Sequence, residues 1–129
     1  MRFETRRISD RHDVIAPDGS EVRVLCGVAR GGMASFTLQP NAIAKAIVHR
    51  TVEEVWYFVS GRGRLWRRLA EHEEIVEVGP GLSISIPVGT QFQFRCDGVE
   101  ALVVIGATMP PWPGDDEAYA VPGKWTPTV

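Results

Sequence analysis

His49 and Glu54 are the residues whose types and spacing best suit chemistry in this chain. Brought together in an apolar cavity, an imidazole and a carboxylate perturb each other. The carboxylate stabilises imidazolium, while desolvation disfavours both charges. Such a pair can act as general acid and base, which makes His49 and Glu54 the candidate catalytic residues. The other reading is a structural hydrogen-bonded pair. His12 and His72 sit among charged residues and read as solvated. No Ser–His–Asp order, phosphate loop, paired Cys-x2-Cys or dinucleotide fingerprint is present. Gly61-x-Gly63 reads as a turn, because a strand rather than a helix follows it.

The elements that must position this pair read as strands. Turn residues recur at intervals of about 8–12 residues, the spacing of a sandwich or barrel. They include Pro17-Asp18-Gly19-Ser20, Gly31-Gly32, Gln39-Pro40-Asn41, Gly79-Pro80-Gly81 and Pro87-Val88-Gly89. Between the turns lie short runs rich in β-branched and aromatic residues. The expected strands are Arg2–Ile8, Glu21–Ala29, Met33–Leu38, Ile43–His49, Glu54–Val59, Arg64–Leu69, Glu74–Val78, Leu82–Ile86, Gln91–Arg95 and Glu100–Gly106.

Several of these alternate with period two, as a strand with one buried face should. Leu82, Ile84 and Ile86 share a face, as do Phe92 and Phe94. Alternation likewise puts Ile47 beside His49, and Trp56 and Phe58 beside Glu54. The run Glu100–Gly106 does not alternate, so cover on both faces is expected there, from a second sheet or a second subunit.

After Gly106 the texture changes. Met109-Pro-Pro-Trp-Pro-Gly114 cannot sustain a helix or a central strand. Asp115–Ala120 can supply one short helical turn with acidic residues at its start. Trp112 and Trp125 imply that this tail lies on the outside of the barrel or across its mouth.

Two stretches carry a family resemblance. Glu54 is followed by six residues and then Gly61, and Gly81, Pro87 and Gly89 follow in the order G-x5-P-x-G. They resemble the paired motifs of the cupin superfamily, G-x5-H-x-H-x3,4-E-x6-G and G-x5-P-x-G-x2-H-x3-N. The resemblance covers roughly residues 39–95 and implies an all-β fold, a small jelly-roll barrel.

It also implies a metal site of three histidines and the glutamate. Aligned on Glu54, His49 takes the second histidine's place and Ile47 the first; aligned on Gly89, Phe92 takes the third and Cys96 the asparagine's. If the alignment slips by two, His49 is the first histidine and Thr51 stands at the second; one is still missing. A divalent ion in an open site normally takes at least three protein ligands. His49 and Glu54 alone would hold iron, manganese, nickel or zinc weakly, unless Gln91, Gln93 or a bound substrate completed the shell.

Ile47 and Phe92 in place of imidazoles point instead to an apolar pocket, lined by Ile47, Trp56, Phe58, Trp66, Phe92 and Phe94. The leading expectation is therefore a small-molecule-binding barrel, its ligand oriented by His49 and Glu54. A metal-dependent dioxygenase or isomerase and a metal-free, histidine-based isomerase or epimerase are the rivals.

Bulk properties bound the rest. The 129 residues read as a single domain, with the barrel core at about residues 20–106 and the tail at 107–129. At 44% hydrophobic and 23% charged, the composition suggests neither disorder nor a membrane span. A net charge of −2 argues against a nucleic-acid partner. Cys26 and Cys96 lack metal-type spacing, lie in apolar strand-like runs and read as buried free thiols. The start of the chain lacks a signal peptide's apolar core, so a cytoplasmic protein is expected. The arginines Arg62, Arg64, Arg67 and Arg68 face Glu71, Glu73 and Glu74 across a hairpin and read as a compensated surface. The two-faced apolar run Ala101–Ile105 suggests a homodimer.

Overall fold

In the computed structural model, which describes residues 2–129, the alternating runs fold as strands closed by the expected turns. They are β1 (Val14–Ile15), β2 (Glu21–Val28), β3 (Gly31–Leu38), β4 (Ile47–His49), β5 (Glu53–Ser60), β6 (Gly63–Leu69), β7 (His72–Val78), β8 (Ser83–Ile86), β9 (Gln91–Cys96), β10 (Leu102–Met109) and β11 (Ala118–Ala120). Among the described residues the one helical element is a 3₁₀ turn at Asp115–Glu117. Among the described residues no helix is long and apolar enough to cross a membrane.

Two antiparallel sheets form a jelly roll. The first runs β1-β2-β3-β10-β5-β8 and the second β11-β4-β9-β6-β7. Period-two alternation aims one face of each sheet inward, and the two inner faces share one core. Trp56, Phe58, Leu102 and Val104 come from the first sheet, Ile47, Leu65, Phe92 and Phe94 from the second. The motif glycines have a backbone reason to be glycine. Gly61, Gly81 and Gly89 take φ of 83°, 91° and 83°, the left-handed region in which a Cβ is strained.

Four expectations are corrected. Arg2–Ile8 forms no strand. Its apolar residues Phe3 and Ile8 have nothing to bury against and stay exposed. Ile43–His49 is a continuous strand only from Ile47, because before it the backbone touches β9 at isolated points and then turns to the Asp18 loop. Ala44 N–H donates to Phe94 O, and Lys45 N–H donates to Asp18 O. The tail adds β11, which pairs with β4.

Lastly, β10 does alternate, with Leu102, Val104, Gly106 and Thr108 inward. It lies between β3 and β5, so its outward residues Val103 and Ile105 join exposed Val55, Tyr57 and Val59 on an open apolar face. Cys26 and Cys96 are free thiols, Cys96 buried as expected and Cys26 only half-buried. The Arg/Glu hairpin pairs as read, Arg67 opposite Glu74 and Arg68 opposite Glu73.

Candidate functional site

His49 and Glu54 come from different sheets. The chain crosses from the second sheet to the first at Arg50–Val52, so the end of β4 and the start of β5 meet at one corner. Both side chains turn inward and are buried. His49 Nδ1 stands 3.1 Å from Glu54 Oε2, without the alignment of a hydrogen bond. Trp56, two residues along β5, donates its indole N–H to Glu54 Oε1 at 2.9 Å. The imidazole is held edge-on between Phe92 and Trp112, with ring centroids 5.3 Å and 5.1 Å away.

The surroundings favour the neutral forms of both groups. Burial lowers His49 to about 4, against the opposing pull of the Glu117 carboxylate and the Val52 backbone. Burial lifts Glu54 to about 7; the Trp56 hydrogen bond opposes this and the charge of Asp18 adds to it. The distance alone suits an ion pair. Desolvation decides against one, because neither group has enough hydrogen bonds to replace lost hydration.

The pair lies on a cavity of about 440 Å³. Phe36, Ile47, Trp56, Phe92 and Trp112 supply its apolar wall, and Asp18 and Thr108 add polar groups. Of the residues expected in the pocket, Ile47, His49, Glu54, Trp56 and Phe92 line it. Phe58 and Phe94 do not; they point inward but pack in the core beneath Trp56, 6.1 Å and 5.0 Å from its ring.

Trp66 is misplaced in the sequence reading. Its neighbour Leu65 takes the inward position, so Trp66 faces out from the second sheet and donates to Glu73 Oε1 at 2.8 Å. Gln93 also faces outward, where its side chain binds Ala44 O and the backbone of Lys124 and Trp125. It is no ligand, and Gln91 shares its parity on β9.

Several cavity residues escaped the sequence reading. Asp18 looked like a turn residue and is one, its Oδ1 accepting from Ser20 N and Oγ. Nothing in the turn signal marks it as buried. Glu4 and Arg6 reach the cavity mouth from the strandless N-terminal segment, where Glu4 Oε1 accepts from Gly27 N. Pro111 and Trp112 cover the mouth from the tail, while Trp125 packs on the outside near Arg64 and Arg95.

The donor set does not fit a divalent metal. Ile47 and Phe92 fill two of the four motif positions with carbon, and Glu54 Oε1 is engaged by the Trp56 indole. Among the described residues no three His, Cys, Asp or Glu side chains converge.

A family model described as a cupin domain matches residues 34–107, and the chain belongs to the cupin family. No curated protein matches its sequence. Solved structures are similar in fold. The capsular polysaccharide assembling protein CapF of Staphylococcus aureus is 21% identical with a TM-score of 0.67, over 89% of this chain and 33% of its own. A Bacillus halodurans protein is 21% identical with a TM-score of 0.65, over 72% of each chain. Bacillus subtilis oxalate decarboxylase, a protein with Mn(II) centres, is 18% identical with a TM-score of 0.70, over 83% of this chain and 29% of its own. The chain thus spans about a third of the length of CapF and of the decarboxylase.

Proposed function

We propose that this cupin binds a small, largely apolar molecule within the barrel and orients it with His49 and Glu54. The observation that carries the reading is the cavity of about 440 Å³, whose wall is mainly aromatic and aliphatic, with His49, Glu54, Asp18 and Thr108 as its inner polar groups. Such a volume falls in the usual range for small-molecule sites, and the mixture of apolar wall and few polar groups is what orients a ligand. A thermal-shift screen of small aromatic and alicyclic compounds tests it. A ligand present at a hundred times its Kd adds about 2.7 kcal/mol of stability, a shift of several degrees. Failure of every compound, with a collapsed interior in a crystal structure, overturns the reading.

A second reading has its own support, the 3.1 Å approach of His49 Nδ1 to Glu54 Oε2 on the cavity surface. There the pair moves a proton on a bound substrate without a metal, as an isomerase or epimerase does. Turnover falling by about 10²–10⁴-fold in His49→Ala supports this, and a flat pH profile argues against it.

Pairing of two copies belongs to the same proposal. The outward face around Val55, Tyr57 and Val59 is apolar and exposed, the kind of surface a two-fold contact buries. Light scattering giving a monomer across the micromolar range overturns it.

A further inference from the structure

The cavity is acidic, and no basic side chain is buried in it. Asp18 and Glu54 are 5% and 4% exposed and both line it, yet among the described residues no lysine or arginine is buried. Lys45 acts on Asp18 only through space and is itself exposed. At the rim Arg6 and Glu4 offset each other at 3.4 Å, and Asp115 adds a further carboxylate. Two buried carboxyls facing one space without a cation cost stability through desolvation, and their mutual repulsion adds to it.

A second observation is independent of the acids. His49 Nδ1 is buried and has no hydrogen-bond partner. In the tautomer that carries the ring proton on Nε2, Nδ1 is an acceptor, so its missing partner is a donor. Glu54 Oε2, 3.1 Å away, becomes an acceptor once ionised, the form that a cation beside it favours. One group that donates to both, and carries the positive charge the acids lack, is an ammonium. It has three N–H donors and no acceptor. The walls suit such a ligand, since Trp56, Phe92 and Trp112 surround the pair with rings that attract cations. A carboxylate ligand would meet like charge on entry.

We propose that the cavity takes an organic cation, an apolar body bearing a protonated primary amine whose ammonium bridges His49 and Glu54. The inference rests on the cavity being a small-molecule site and names the class of molecule it takes.

Titration calorimetry at neutral pH on the full chain tests it with matched probes. These are 2-phenylethylamine, 2-phenylethanol and phenylacetate, and tryptamine, tryptophol and indole-3-acetate. Each amine is expected to bind at least about tenfold tighter than its alcohol, the factor one charge-assisted or cation–π contact supplies. The carboxylates are expected to show no heat. Glu54→Gln brings amine and alcohol to equal affinity; should that variant not fold, the wild-type series still decides. Alcohols or carboxylates binding as well as the amines overturn the cation while leaving a small-molecule site in place. Silence from all six probes overturns the cation, and the broader screen then decides separately whether the cavity binds anything.

Discussion

Glu117 Oε2 accepts the backbone N–H groups of Thr51, at 2.7 Å, and Val52, at 2.8 Å. Its Oε1 accepts the Thr51 hydroxyl at 2.6 Å. One carboxylate in the tail therefore ties down the corner that carries the chain from His49 to Glu54. Nearby, Arg50 N–H donates to Glu117 O, and the Arg50 guanidinium lies 4.5 Å from the Tyr119 ring centre.

Glu117→Ala is expected to cost about 1–3 kcal/mol, the range for leaving buried amides unsatisfied. It also frees the corner, so ligand affinity falls beyond what stability predicts. Denaturant unfolding and calorimetry on the same variant check both. Burial alone would raise Glu117, but the Thr51 and Val52 hydrogen bonds and His49 win and hold it below the usual glutamate value. Its contribution is present above the unfolded-state pKa and is lost as pH falls through the lower folded one.

The His49–Glu54 pair gives a different pH signature. Glu54 titrates near 4.5 when unfolded and at about 7 when folded, so across that interval the folded state binds more protons and stability falls as pH rises. His49 runs the other way between about 4 and 6.5. The two slopes oppose each other over most of the range, and Glu54 alone acts from 6.5 to 7. Glu54→Gln removes the falling slope. Relative to wild type, the variant is expected to gain stability from pH 4.5 to 7, by on the order of 3 kcal/mol. Melting temperatures of both proteins across that interval check it; parallel curves would refute the neutral-pair assignment.

These groups were legible in the sequence to unequal degrees, for physical reasons. Strand parity and the motif glycines are local properties, so the inward direction of Ile47, His49, Glu54, Trp56 and Phe92 could be read from spacing. Trp66 could not, because its run Arg64-Leu-Trp-Arg-Arg offers two adjacent apolar residues and only the β6–β9 register decides which points inward. Arg2–Ile8 resembled a strand through its aromatic and β-branched residues, but these stabilise a strand only where a partner strand and a core exist. Asp18 reaches the cavity through long-range packing, which no local pattern encodes, whereas the tryptophans of the tail leave open whether the tail lies outside the barrel or across its mouth, and Trp112 takes the mouth.

Gln93 shows how the tail is held on the outer face. Its Nε2 donates to Ala44 O and Trp125 O, each at 2.8 Å, while Oε1 accepts from Lys124 N at 2.9 Å and Trp125 N at 3.0 Å. Every hydrogen-bonding position of the amide is used. Gln93→Ala is expected to cost about 1–3 kcal/mol, since it leaves the buried Ala44 carbonyl and the part-buried backbone groups of Lys124 and Trp125 without their partner. Limited proteolysis should then cut near Lys124 well before the barrel, and wild-type resistance in the variant would sink the assignment.

Gly106 sets the depth of the cavity wall. A Cβ there would stand 2.5 Å from the Phe36 ring and 3.1 Å from the Trp56 indole, which are 5.4 Å apart at their centroids and flank the strand. Trp56 is backed by Phe58, Phe92 and Phe94, and both rings line the cavity, so the cavity is the side to which they can yield. Gly106→Ala must therefore push Trp56 toward the cavity or strain β10, at about 1–3 kcal/mol for an overpacked core. Moving the indole also breaks its hydrogen bond to Glu54 Oε1. The expected result is a lower melting temperature, an altered tryptophan emission and a further rise in the Glu54 pKa, since that hydrogen bond is what restrains it. Calorimetric or NMR titration of the variant checks the last point; an unchanged Glu54 would show that the indole does not govern the carboxyl.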